Sequence, residues 1–83
     1  MRVTWRYGMK RAHTIGTAPK KPVPWYGELW GVNTRGERIV QSWRSPKPIT
    51  LAETIDVMHA LVDEMVAEIG REGADAGWWV ACR

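Results

Sequence analysis

The chain has no phenylalanine and a single cysteine, Cys82, and nowhere in it do eighteen apolar residues run together. One cysteine excludes an internal disulfide and the stapled frameworks of small secreted domains, so a reducing compartment is expected. The missing apolar run excludes a membrane-spanning helix, and the opening MRVTWRYGMKRAHT offers no hydrophobic stretch that would read as a signal peptide. A cytoplasmic protein with no membrane partner is the expectation. Also missing are a Ser-His-Asp set, a carboxylate pair in an apolar surrounding and a Gly-rich turn between strand and helix. Neither an enzyme nor a cofactor is expected from such a chain.

With phenylalanine absent, six tryptophans and two tyrosines carry the aromatic content. A chain of 83 residues can hide only about 60–65% of its unfolded surface, which implies one domain over residues 1–83 and leaves little room for a deep cleft. Charge is divided along the chain. Residues 1–48 carry ten Lys/Arg against Glu28 and Glu37, a net of +8, while residues 49–83 carry two Arg against seven acids, a net of −5. Such a split favours an anionic partner on one side or a basic partner on the other.

The clearest local signal is TLAETIDVMHALVDEMVAEIG. Thr50 and Glu53 have the spacing of a capping box, and Leu51, Ile55, Met58, Val62, Met65 and Ile69 recur at alternating steps of four and three, one stripe of a helix. Glu53, Asp56, Asp63, Glu64 and Glu68 stand opposite, giving an acidic outer face, and Gly70 or Gly73 is positioned to end the helix.

Ahead of the helix, NTRG separates two extended runs, about 27–33 and 37–44. Asn33 can open a type I turn and Gly36 can supply the positive φ of a G1 bulge. That turn sets Val32 opposite Arg38, Trp30 opposite Val40 and Leu29 opposite Gln41, so Leu29, Ile39 and Trp43 share one face while Trp30, Arg38 and Arg44 share the other. RVTWRY alternates as a further strand, with Val3, Trp5 and Tyr7 on one side and Arg2, Thr4 and Arg6 on the other, and GWWVAC can return as a fourth. Residues 8–24 hold three prolines and no useful period; they read as a long loop or mobile arm, or conceal a strand near AHTIG. The expected fold is α+β: a small antiparallel sheet of three or four strands with one amphipathic helix on one face.

If the helix stripe packs on Val3, Trp5, Tyr7, Leu29, Ile39 and Trp43, the opposite sheet face presents Arg2, Arg6, Trp30, Arg38 and Arg44. Guanidinium groups meet phosphates and an indole stacks on a base, so this face, extended by Lys20, Lys21, Arg35 and Lys47, is the candidate site for nucleic acid or a nucleoprotein complex. The structural alternative is that Trp30 tucks under the 8–24 segment with the arginine stems shielding it. A second candidate surface is the acidic row Glu53, Asp56, Asp63, Glu64 and Glu68, suited to a basic patch on a host protein. Asp56, His59 and Asp63 share a helix flank, but a solvated flank is the expectation there, and no metal is expected.

The order of strand, hairpin and helix over residues 27–69 resembles in layout the arm-type DNA-binding domains of tyrosine recombinases; the resemblance assigns no residue. The expected function is non-catalytic macromolecule binding through the basic hairpin face, in the style of a phage or mobile-element regulator. The alternative is a protein-binding inhibitor of host machinery, anti-CRISPR-like in size, acting through the acidic helix or exposed tryptophans, and a homodimer is compatible with either.

Overall fold

Alternation of buried and half-exposed positions organises the central strands. In β3 (Trp25–Val32) Trp25, Gly27, Leu29 and Gly31 are buried while Tyr26, Glu28, Trp30 and Val32 are partly exposed, as a strand with two different faces requires. β3 runs into the expected turn. Gly36 has φ +80° and its N–H donates to the Asn33 carbonyl at 3.0 Å, while the Asn33 side-chain oxygen accepts from the N–H groups of Arg35 and Glu37. β4 (Arg38–Arg44) returns with Val32 opposite Arg38, Trp30 opposite Val40 and Leu29 opposite Gln41, the register that the turn sequence dictates.

The computed structural model describes residues 1–70 and 74–82. Its remaining elements are β1 (Arg2–Arg6), β2 (His13–Ile15), α1 (Leu51–Ile69) and β5 (Asp75–Cys82). One antiparallel sheet has the order β2-β1-β5-β3-β4, and α1 packs on β3 and β5. The sheet therefore has five strands instead of the expected three or four. The additional strand is β2, three residues within the 8–24 segment, too short to show a period of its own. GWWVAC belongs to the strand at the middle of the sheet, pairing with β1 on one side and β3 on the other.

The helix begins with the reciprocal cap: the Glu53 N–H donates to Thr50 Oγ1 at 3.2 Å and the Thr50 N–H to Glu53 Oε1 at 3.2 Å. It ends at Gly70, φ +96°, whose N–H donates to the Val66 carbonyl at 2.9 Å; Gly73 lies outside the described residues. Thr54, Met58, Val62, Met65 and Val66 are the buried positions, whereas Leu51, Ile55 and Ile69 of the expected stripe are half-buried. Thr54 can be buried because its hydroxyl donates to the Thr50 carbonyl at 2.9 Å. Below the helix lie Val3, Trp25, Leu29, Ala76, Trp78 and Val80. Trp25 satisfies its indole N–H on the Ile49 carbonyl at 2.9 Å, within the core. Ile39 corrects the expected core: it is on the helix side of β4 but 38% exposed, because the helix covers β3 and β5 and β4 lies at the sheet edge. Cys82 is half-buried.

Close approach explains two buried glycines. A Cβ on Gly27 would overlap the Trp79 carbonyl oxygen and stand 2.9 Å from Val80 Cα, both backbone atoms, whereas at Gly31 it would meet the Met65 thioether, with Sδ at 2.6 Å. Only the thioether can swing aside. Gly27→Ala is expected to destabilise the fold by about 3 kcal/mol and Gly31→Ala by about 1 kcal/mol, measured by urea unfolding; equal losses would contradict this packing.

The cap also makes stability respond to acid. The backbone N–H of Thr50, and then its hydroxyl, hold the Glu53 carboxyl below the usual carboxylate range, with a smaller pull from Lys47. A folded-state pKa below the unfolded one means that the stabilisation is complete above the ordinary glutamate range and fades as pH falls through the lowered value. The stability gap between the native chain and Glu53→Gln should therefore be wider at neutral pH than at strongly acidic pH; a gap independent of pH would count against the cap.

Candidate functional site

The face of the sheet away from α1 is built by the other half of each alternation. Pairing places Arg2, Thr4 and Arg6 of β1 opposite Ala81, Trp79 and Gly77 of β5, and these in turn opposite Tyr26, Glu28 and Trp30 of β3. β4 completes the rows with Arg44, Ser42, Val40 and Arg38. Two indoles, Trp79 and Trp30, thus lie diagonally near the middle, with Arg2, Arg6, Arg38 and Arg44 around them.

Each indole is held. Trp30 lies against the bare backbone of Gly77, where a Cβ would stand 2.9 Å from its Cζ2 and 2.5 Å from the Trp5 carbonyl oxygen. Trp79 donates its Nε1–H to Glu28 Oε1 at 3.1 Å and meets the Tyr26 ring edge-on, centroids 6.0 Å apart. Guanidinium groups lie over both: Arg2 is 4.6 Å from the Trp79 ring centroid, and Arg38 and Arg6 are 4.9 and 6.0 Å from that of Trp30. Arg6 also pairs with Asp75 at 3.0 Å. Arg2, Arg6, Glu28, Trp30, Arg38 and Trp79 are among the residues lining a shallow cleft of about 440 Å³ on this face.

Of the residues expected from sequence, Arg2, Arg6, Trp30, Arg38 and Arg44 come together here. Lys20 and Lys21 sit in the connection between β2 and β3, Arg35 in the hairpin turn, and Lys47 in the connection before α1. All four are exposed, but none belongs to a strand of the platform. Trp30 is half-buried between guanidinium groups and Gly77. Of the 8–24 segment, β2 lies at the sheet margin beside β1, with β1 and β5 between it and β3, while Met9 lines the same cleft as Trp30.

Trp79, Glu28 and Tyr26 are the site residues that sequence reasoning missed. Adjacent residues of a strand point to opposite faces, so Trp78 and Trp79 separate, one into the core and one onto the platform. Strand assignment of GWWVAC carries that consequence directly. Glu28 follows in the same way from Trp30, two residues further along β3.

The charge split along the chain is mostly a split in space. The arginines border the open face, while Glu53, Asp56, Asp63, Glu64 and Glu68 are all exposed on the helix at the other side of the sheet. His59, expected on a solvated flank with Asp56 and Asp63, is instead half-buried. Its Nδ1 accepts from the Trp78 indole N–H at 3.3 Å and its ring meets Trp5 edge-on with centroids 4.5 Å apart. Among the described residues no three His, Cys, Asp or Glu side chains are grouped to hold a metal ion, and no helix is long and apolar enough to cross a membrane.

No protein-family model matches this chain, and neither the curated proteins nor the solved structures contain a match to it. What the platform can do must be argued from its own chemistry: planar aromatic surface, fixed positive charge around it and one acceptor-only carboxylate inside it.

Gly77→Ala tests how the platform is assembled. The added methyl has no room beside Trp30 and the Trp5 carbonyl, so a loss of about 1–3 kcal/mol is expected, together with an altered near-ultraviolet circular dichroism spectrum. An unchanged spectrum and midpoint would show that Trp30 does not lie on Gly77.

Proposed function

We propose that this protein is a non-catalytic nucleic-acid-binding module that lays a single strand across the open sheet face. The observation that carries this is the pair of anchored indoles, Trp30 and Trp79, surrounded by Arg2, Arg6, Arg38 and Arg44. Their arrangement favours a single strand over a duplex. Trp79 opposes Glu28, and Trp30 is two residues further along β3, a diagonal relation that separates side chains by roughly 7–8 Å. That is about twice the rise per nucleotide of a duplex strand, so bases stacked on the two indoles must be unstacked from each other. Only an open strand permits this.

Phosphates belong at the arginines and bases in the middle. Glu28 enforces that division, because a carboxylate repels phosphate but accepts from the N–H groups of a base. The guanidinium groups that lie over the indoles in the free protein either swing outward to phosphates or remain as a planar layer on which a base stacks.

A fluorescent oligothymidylate should bind with an affinity that falls steeply with salt. Replacing Arg38 and Arg44 together by alanine should flatten the slope of log K against log salt by about 1.4, roughly 0.7 for each phosphate left unneutralised. Trp79→Ala should weaken binding by about 1–3 kcal/mol without changing that slope, since stacking releases no counterions. Absence of binding at low salt would end the proposal.

The acidic helix face supports a second reading, a protein-binding inhibitor. Asp56, Asp63, Glu64 and Glu68 form no ion pair among the described residues, and Val57 is 38% exposed beside Asp56. Under this reading Asp63→Lys with Glu64→Lys would abolish recovery of one stoichiometric partner, and the Arg38, Arg44 double variant would not.

A further inference from the structure

We propose that two copies of this chain associate through the free edge of β4, joining their sheets into one antiparallel sheet of ten strands. This is independent of what the open face binds.

Hydrogen-bond parity shows what the edge offers. At one end of the β3–β4 ladder the Asn33 N–H donates to the Glu37 carbonyl at 2.9 Å; at the other the Ser45 N–H donates to the Trp25 carbonyl at 2.9 Å. Antiparallel ladders alternate, so the odd-numbered residues between these ends, Ile39, Gln41 and Trp43, spend their backbone groups on β3. Arg38, Val40, Ser42 and Arg44 direct N–H and C=O away from the sheet, where β4 has no strand neighbour among the described residues.

Such an edge invites pairing unless something blocks it. The opposite margin, β2, is only three residues long. β4 has seven residues, no proline, no lysine and no bulge in its pairing with β3, and exposes Ile39 (38%) on the helix side and Val40 (48%) on the open face.

Self-pairing about a two-fold axis leaves few registers, because outward-facing residues must pair with outward-facing residues. Centred on Gln41, Arg38 would oppose Arg44 of the second copy, like charge against like. Centred on Ser42, Arg38 would oppose Pro46, which has no N–H to give. Centred on Ile39, the pairing runs into the Thr34–Gly36 turn after a few residues. Centred on Val40, Arg38 opposes Ser42, Ile39 opposes Gln41 and Glu37 opposes Trp43, with Val40 against its own copy. This register pairs the whole run from 37 to 43 and sets no like charges opposite each other. A perpendicular two-fold axis keeps both helices on one side and both arginine-bordered faces on the other.

One strand pair buries less than the roughly 800 Å² per partner of standard interfaces, so association should depend visibly on concentration. Sedimentation equilibrium from low micromolar to near-millimolar concentration should follow a monomer–dimer isotherm. Val40→Pro removes the central outward N–H but no bond to β3, and should weaken the dimer at least roughly tenfold while circular dichroism stays native. In a Cys82→Ser background, Val40→Cys should form a disulfide-linked dimer on mild oxidation, because paired Cα atoms there would be about 5.5 Å apart. Ser42→Cys should not, since its two copies would be separated by about 13 Å along the strand. A monomer at every concentration overturns the proposal, as does a dimer indifferent to Val40→Pro or one that Ser42→Cys links faster than Val40→Cys. If Val40→Pro fails to fold, the two cysteine variants decide.

Discussion

A single nineteen-residue helix cannot cover both sides of a five-stranded sheet. α1 settles on β3 and β5, with Met65 resting over the bare backbone of Gly31, and from this packing the division of the molecule follows. Residues on one phase of β1, β3 and β5 enter a core with Met58, Val62 and Val66; among the described residues, those on the other phase have no second layer over them, only Met9 reaching their cleft. The second group must stabilise itself laterally. Indoles lie on a glycine or hydrogen-bond a carboxylate, and arginine guanidinium groups lie over them. The same lack of a second layer that leaves these rings partly wet also leaves them reachable.

The chain handles tryptophan according to where its single N–H can go. Trp25 and Trp78 are almost wholly buried, one donating to the Ile49 carbonyl and the other to His59. Trp79 gives its N–H to Glu28 and Trp5 to the Met9 carbonyl. A phenylalanine at these positions would fill space without the bond that fixes ring orientation. For a small domain with few layers, oriented rings supply rigidity that a larger core would supply by packing alone.

Much of this was legible before the structure, and the rest was hidden for identifiable reasons. The Thr50–Glu53 cap and the Asn33–Gly36 turn are local, so the helix start and the β3–β4 register could be read from spacing. The hairpin register in turn placed Trp30, Arg38 and Arg44 on one face. Sheet order is not local: nothing within DAGWWVAC states that it lies between β1 and β3. β2, with three residues, falls below the length at which alternation can be recognised. Ile39 illustrates a subtler limit, since periodicity assigns a residue to a face but not to the part of that face which a helix will reach. His59 illustrates the reverse, a polar side chain drawn inward because an indole N–H needed an acceptor.

The central place of β5 bears on how the chain reaches its native state. β1 with β2 and β3 with β4 are hairpins that can form from neighbouring sequence, but they share no hydrogen bond with each other. Both wait for residues 75–82, which bridge from Arg2–Arg6 on one side to Trp25–Val32 on the other. Pairings so distant along the polymer must overcome loop-closure entropy before they gain anything, and topologies of this type assemble slowly for their size. During synthesis, two unjoined hairpins and an unpartnered amphipathic helix would precede the strand that unites them.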